Sequence, residues 1–279
     1  SALVAGDRRL KPLILIHGLG ATKASWLTIV PQLSRHHRVI AIDLPGFGAS
    51  TKPNGSYSAP WFAQRVFGVL DGLGIDRALV AGNSMGGRVA MEMAMRRPER
   101  VDGIACLCPA AAFSYRPAVQ LVKLLRPELS VLAGRLPRSH VIAGLKQLFA
   151  RPDRLHDTWY EAAVDDFLAI WRSPRARVAF SRSLRNIYLD EPMGDSGFWN
   201  RLSQMETPAL YIYGKHDALI THHFARKMRR TIPHARVKVW GDCGHVPQIE
   251  FPARTVKTMM SFFQEVAPSR YAPRTATGS

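Results

Sequence analysis

Short, nearly all-apolar runs alternate with longer stretches whose apolar positions recur every three to four residues. The short runs fall at residues 13–16, 39–42, 78–81, 104–107, 209–213 and 237–240. Each predicts a strand, and each stops at turn-forming residues: His17-Gly18, Asp43 before Pro45-Gly46, Gly82, Pro109, Gly214 and Gly241. Strands apolar on both faces need cover on both sides, so the pattern predicts a mostly parallel sheet flanked by helices, an α/β fold. Helical periodicity is expected over 61–73, 85–96, 222–231 and 253–266, with Ser58 before Pro60 and Thr221 as start signals.

The alternation stops between Pro109 and Pro208. A structureless loop of about 100 residues is improbable inside a compact domain, so this stretch is expected to be a helical insertion over the carboxyl edge of the strands. Trp159, Ala163, Phe167, Ile170 and Trp171 recur at helical spacing, as do Val119, Leu121, Val122, Leu124 and Leu125. The organisation read from the sequence is a core of residues 1–108 and 209–266, a helical cap (lid) of 109–208, and a disordered tail of 267–279.

Composition is ordinary for a globular protein of 279 residues, with 47% hydrophobic and 21% charged residues. Charge is not ordinary: Lys and Arg number 38 against 21 Asp and Glu, a net +17. The excess is spread along the chain, with Arg226, Lys227, Arg229 and Arg230 its densest cluster. Without aromatic platforms or a groove-reading motif, no nucleic-acid partner is expected. Attraction to an anionic membrane surface is compatible with this charge. Cys106, Cys108 and Cys243 have neither disulfide nor zinc spacing and are expected to be free thiols. No metal or other cofactor is expected. The location expected is cytoplasmic, with membrane association as a refinement; the oligomeric state is not legible.

The strongest chemical signal is Gly82-Asn83-Ser84-Met85-Gly86-Gly87, placed between a strand and a helix. It fits G-x-S-x-G, a sharp turn that needs small neighbours at −2 and +2 and lifts the serine hydroxyl clear of the sheet. A serine nucleophile needs a base. Of ten histidines, His245 is best placed, in the glycine-bearing loop Gly241–Pro247 after the last strand. Asp217, just past the strand ending at Gly214, suits the acceptor that holds the imidazole. Asp43 instead precedes a Pro-Gly turn, where a carboxylate caps the loop. The Met85 amide and the Leu19 amide, in His17-Gly18-Leu19-Gly20, are the candidate oxyanion donors. His17 is then expected to be scaffold. Trp159, Phe167 and Trp171 are candidate substrate-binding residues, with packing of the cap itself as the competing role.

Together with Asp43-Leu44-Pro45-Gly46-Phe47-Gly48-Ala49-Ser50, Gly214-Lys215-His216-Asp217 and Gly244-His245-Val246-Pro247-Gln248-Ile249-Glu250, these motifs resemble the α/β-hydrolase superfamily over residues 13–263. The resemblance implies an eight-stranded sheet with a helical cap and a Ser84–His245–Asp217 triad. Only Ser1–Lys11 stand where the family places two further strands, leaving room for one.

Within the superfamily, the expected function is serine hydrolysis of carboxylic esters, esterase or lipase chemistry on small-molecule or lipid esters with apolar acyl groups. The alternative is carbon–carbon bond hydrolysis of meta-cleavage-type dienones, favoured by Gly-Asn-Ser-Met-Gly-Gly. Against it stand Val246, where those enzymes carry Trp, and Gly20-Ala21-Thr22 in the first loop. Ser84 speaks against the aspartate-nucleophile branches. A catalytically silent binding module is the remaining class.

Overall fold

The computed structural model describes residues 1–112, 122, 124, 126–132, 134 and 136–266. Residues 119, 121 and 125 and the expected disordered tail, 267–279, lie outside the described residues. Seven strands form one sheet: β1 (Ala2–Ala5), β2 (Pro12–Ile16), β3 (Arg38–Ile42), β4 (Ala78–Asn83), β5 (Val101–Leu107), β6 (Ala209–Gly214) and β7 (Arg236–Trp240). Their order is β1-β3-β2-β4-β5-β6-β7. All neighbours are parallel except β1, which runs antiparallel to β3 with Ala2 opposite Ile42. The eighth strand implied by the resemblance is absent among the described residues, and β1 fills the short leader.

Side chains alternate across a strand, and the apolar runs therefore supply two cores. Ile14, Ile16, Ile40, Val80, Ile104, Cys106 and Tyr211 pack on one face, with α2 (Ala59–Gly72), α3 (Met85–Arg96), Phe198 and Met228. Leu13, Leu15, Val39, Leu79, Ala105, Leu210 and Ile212 pack on the other, with Trp26, Leu33, Met259 and Phe263. Most of these side chains are fully buried, each worth roughly 1.5–3 kcal/mol for an aliphatic residue. The strand at 237–240 departs from the expectation of two-sided burial. It is the sheet edge, and only Trp240 of β7 is buried.

Between the fifth and sixth strands the described residues contain no strand. They form α4 (Arg138–Lys146), α5 (Asp157–Arg172), α6 (Pro174–Leu189) and α7 (Phe198–Ser203), with 3-10 turns at Pro127–Leu132 and Pro152–Arg154. Ser58 caps α2 by accepting from the Trp61 amide at 3.4 Å. The helix expected from 222 starts later, as α8 (Phe224–Thr231), with His222 and His223 in the turn before it. In its basic cluster, Lys227 lies 3.9 Å from the centre of the Trp199 ring and Arg229 donates to the Val237 carbonyl. Two of its four cations therefore serve packing. Helix α9 (Pro247–Glu250) and helix α10 (Pro252–Val266) complete the chain. Among the described residues, no helix is long and apolar enough to cross a membrane.

One buried charge organises the helix behind the site. Glu92 on α3 is fully buried and accepts from Arg88 (2.9 Å), Arg201 (2.7 and 3.1 Å) and Arg96 (3.0 Å). Burial alone would raise its carboxyl, but the Arg201 and Arg88 guanidinium groups overrule it and hold the group at about 2. Glu92→Ala leaves Arg88, buried beside Phe198, with Asp190 as its one remaining carboxylate among the described residues, and takes the shared acceptor from Arg201 and Arg96. We expect a loss of about 3–5 kcal/mol, read as a fall in the urea unfolding midpoint. Because the folded value lies below the unfolded one, the wild-type contribution is complete above pH 4.5 and declines as pH falls toward 2.

Candidate active site

The serine turn is built by contacts too close for any side chain. A Cβ on Gly82 would stand 2.2 Å from the Gly86 backbone, and one on Gly86 would stand 2.1 Å from the Ile16 carbonyl oxygen. Strand β4 and helix α3 can meet at this angle only with glycine at both positions. Ser84 takes the residual strain, with φ 55° and ψ −117°. Such a conformation costs about 1–3 kcal/mol and persists where its surroundings over-determine it. The Ser84 amide donates to Leu107 at 2.9 Å, and its carbonyl accepts from Ala110 at 3.0 Å. The first amides of α3 have no helical partner, so the Met85 N–H stands beside the serine with the positive end of the helix dipole behind it.

His245 and Asp217 lie together at the carboxyl edge of the sheet. Imidazole Nδ1 lies 2.7 Å from Asp217 Oδ2, with side-chain exposures of 5% and 0%. The other carboxylate oxygen, Oδ1, accepts from the Leu219 and Ile220 amides at 2.8 Å each. Three donors therefore meet one carboxylate. With Nδ1–H donated to it, the imidazole keeps the Nε2 lone pair for a substrate proton. Asn83 ties the serine turn to the histidine loop, since its Nδ2 donates to the Leu107 and His245 carbonyls at 3.0 Å each.

Strand β5 ends at Leu107, and Cys108 turns into the left-handed region with φ 44°. Its Sγ lies within 4.8 Å of ligand atoms on Asp217 and His245. Burial, reinforced by the Asp217 carboxylate, pushes its thiol well above the ordinary range, so it stays protonated. All three cysteines are free and buried.

The histidine loop is held from the helical insertion, by a residue the sequence reading quoted but gave no role. Glu250 Oε2 accepts from the Gly244 amide at 2.7 Å, and Oε1 accepts from the Ala150 and Arg151 amides at 2.9 and 3.1 Å. The His245 amide donates directly to the Leu148 carbonyl at 2.7 Å. Phe149, Trp159, Tyr160, Val246 and Ile249 form a small apolar cluster at the same seam. Trp159 thus packs beside the loop of the base.

On the opposite side, the first loop comes as close to the serine as backbone allows. A Cβ on Gly18 would lie 3.2 Å from Ser84 Cβ. No hydrogen bond from the neighbouring Leu19 amide is found among the described residues. His17 is scaffold: Nδ1 donates to the Gly18 carbonyl at 2.7 Å and Nε2 accepts from the Leu44 amide at 3.0 Å. Asp43, fully buried at its side chain, accepts from Lys23 Nζ at 2.6 Å and the Ala49 amide at 3.0 Å and so braces the next loop. Phe167 stands over Gly20 together with Phe180, a residue the sequence reading missed; a Cβ on Gly20 would meet either ring at 3.1 Å. Trp171 lies roughly parallel to Phe167, 6.2 Å away between ring centres, and donates to the Gly134 carbonyl. A cavity of about 200 Å³ opens beside Met85, walled by Tyr57, Phe62, Ile187 and Leu189 and floored by Arg88.

Two predictions follow from this geometry. A fluorophosphonate probe should label Ser84, with no labelling in Ser84→Ala and a rate lower by about 10³–10⁴ in Asp217→Asn. Glu250→Ala should slow labelling by about tenfold, through a misplaced His245. Separately, burial depresses His17 from 6.5 to about 4, so the unfolded chain takes up a proton that the folded one refuses. Its share of stability is complete above pH 6.5 and falls by up to about 3 kcal/mol on the way to pH 4. His17→Gln should flatten that part of the urea-midpoint profile.

A model of the α/β hydrolase fold matches residues 11–252. The chain is 30% identical over 268 residues to 2-hydroxymuconate semialdehyde hydrolase of Pseudomonas sp. (strain CF600), covering 91% of this chain and 87% of that one. It is 29% identical over 256 residues to pimeloyl-[acyl-carrier protein] methyl ester esterase of Aeromonas salmonicida (strain A449), covering 90% and 94%. Among solved structures, a bacterial membrane phospholipase A superposes with a TM-score of 0.78 at 28% identity, covering 96% of this chain and 83% of that one. With the family match spanning nearly the whole chain and the strand order, serine turn and helical flanks all in place, this protein belongs to the α/β-hydrolase family.

Proposed function

We propose that this hydrolase cleaves carboxylic esters through an acyl-enzyme on Ser84. The observation that carries the reading is the buried Asp217–His245 pair at 2.7 Å, tied through Asn83 to a strained serine turn. In the first half-reaction His245 Nε2 takes the Ser84 proton as Oγ attacks the ester carbonyl carbon. The Met85 and Leu19 amides donate to the oxyanion as the carbonyl π bond opens. Collapse expels the alcohol oxygen, which receives the proton from His245. In the second, His245 takes a proton from water, the resulting hydroxide oxygen attacks the acyl carbon, and Ser84 leaves with that proton. Asp217 keeps the imidazole in one tautomer and stabilises its charged form throughout. The residues act without an added cofactor in this scheme.

The cavity beside Met85, about 200 Å³, is below the usual size of small-molecule sites; its apolar residues Tyr57, Phe62, Ile187 and Leu189 suit a short acyl group, with Arg88, Asp190 and Glu191 also in its lining. On p-nitrophenyl esters from C2 to C16, we expect kcat/KM to be at least about tenfold higher at C4 than at C16, and activity to vanish in Ser84→Ala. Failure of every ester with folded protein would remove the reading.

Carbon–carbon hydrolysis is a second reading, favoured by the 2-hydroxymuconate semialdehyde hydrolase relative. It is supported by the same serine, base and acid, and turnover of a ring-cleavage dienone in preference to esters would select it. The phospholipase likeness and the net charge of +17 support peripheral contact with anionic membranes as part of the ester reading. Co-sedimentation with anionic vesicles but not neutral ones is the expected outcome.

A further inference from the structure

A second, larger concavity opens at the side of the helical insertion, about 790 Å³ in volume. Its walls include Arg126, Arg182, Arg185, Asn54, Ser56 and Asn186, and Glu128 is the single carboxylate among the described residues that line it. That carboxylate is already matched. Glu128 Oε1 accepts from Arg182 Nη2 at 3.0 Å and Nε at 3.3 Å, while Arg182 Nη1 donates to Asn54 Oδ1 at 2.7 Å and the Gly55 carbonyl at 2.9 Å. Arg182 is therefore a cross-link between the insertion and the loop before α2. Two further guanidinium groups, Arg126 and Arg185, face the cavity; Arg185 shares the field of Glu128, but neither has a hydrogen bond to a carboxylate among the described residues. Arg185 Nε is buried with no hydrogen-bond partner among the described residues. A buried, unmet donor on a cation is costly, and an incoming anion would relieve it.

The place of this concavity gives it a use. Asn186 lines both it and the smaller cavity beside Met85, with Asn186 held by donating to the Ser56 carbonyl at 2.6 Å. The acidic groups of the inner cavity are Asp190 and Glu191. Asp190 accepts from Arg88 Nε at 3.0 Å, and Glu191 accepts from the Met193 amide. The two concavities therefore adjoin at Asn186, and a substrate extending from Ser84 past Met85 into the smaller one would carry its far end toward the larger. We infer that Arg126 and Arg185 form an anion subsite that holds a phosphate or carboxylate group at the far end of the ester substrate. The inference rests on the ester reading for its chemistry, and on the arginine-lined cavity alone for binding.

The test compares two p-nitrophenyl esters of equal acyl length, one neutral and one ending in a carboxylate, in wild type, Arg185→Gln, Arg126→Gln and the double variant. The ratio of kcat/KM for the charged over the neutral ester should fall at least about tenfold in Arg185→Gln and further in the double variant, with Arg185→Lys recovering part of it. Raising salt should lower the same ratio in wild type. Calorimetric titration of inorganic phosphate into Ser84→Ala reads binding without turnover, and binding should weaken by a similar factor in the double variant. Monomeric lysophosphatidylglycerol identifies the source of the anion. Competition at least about tenfold stronger than by phosphate points to a lipid headgroup, and equal competition to a soluble anionic ester; either supports the subsite. An unchanged ratio and unchanged phosphate binding in the double variant overturn it. If wild type hydrolyses neither ester while phosphate binding still depends on Arg126 and Arg185, the ester reading fails and the subsite stands.

Discussion

The contact on which the rest depends is the approach of α3 to the end of β2. With a Cβ at Gly86 only 2.1 Å from the Ile16 carbonyl oxygen, there is no slack between the helix and the strand beneath it. That closeness forces the serine into φ 55°, points the first amides of α3 toward the carboxyl edge and brings Gly18 within contact of Ser84. His245 arrives from the other side of the same edge, tied to the turn through Asn83. A strained turn of this kind is sustained only because two cores, one on each face of the sheet, grip strands β2, β4 and β5.

The framework is asymmetric in how it holds its charged groups. Asp217, Asp43 and Glu92 are each buried at the side chain and each meets at least three donors. Against the cost of burial, the donors around Asp43 and Glu92 hold both acids below the ordinary carboxylate range. The buried imidazole of His17 is the reverse case: one donor and one acceptor fix it neutral, which is why it braces two loops and does no proton chemistry. Between these poles stands His245, with one nitrogen committed to a carboxylate. Environment alone assigns the two imidazoles their different work.

Much of this was legible in the sequence because its signals are local. G-x-S-x-G between strand and helix, a glycine-flanked histidine and an acid after the preceding strand each depend on a few adjacent residues. Ser84, Asp217 and His245 stood out for that reason, as did six of the seven strands. What could not be read is what depends on distant partners. Glu250 lies in a quoted motif, but the amides it holds belong to Ala150 and Arg151, 100 and 99 residues away. Phe180 carries no pattern that separates it from other apolar positions on an amphipathic helix, though it shares Gly20 with Phe167. The edge position of β7 was hidden by Val237, Val239 and Trp240, whose burial depends on whether another strand follows. Trp159 shows the same limit: its spacing is helical, and only the fold places it against Phe149 in the cluster that includes Val246 and Ile249.

The link from Leu148 and Glu250 to the loop of His245 bears on how this protein can change over evolutionary time. Insertions above a hydrolase sheet look like exchangeable modules, free to diverge while the chemistry below is preserved. Here the base loop is completed by the insertion's own backbone, so the two halves share an inheritance. A graft of another relative's insertion would have to bring a segment that offers the same carbonyl and the same pair of amides. Residues 148–151 are therefore the most constrained part of the insertion.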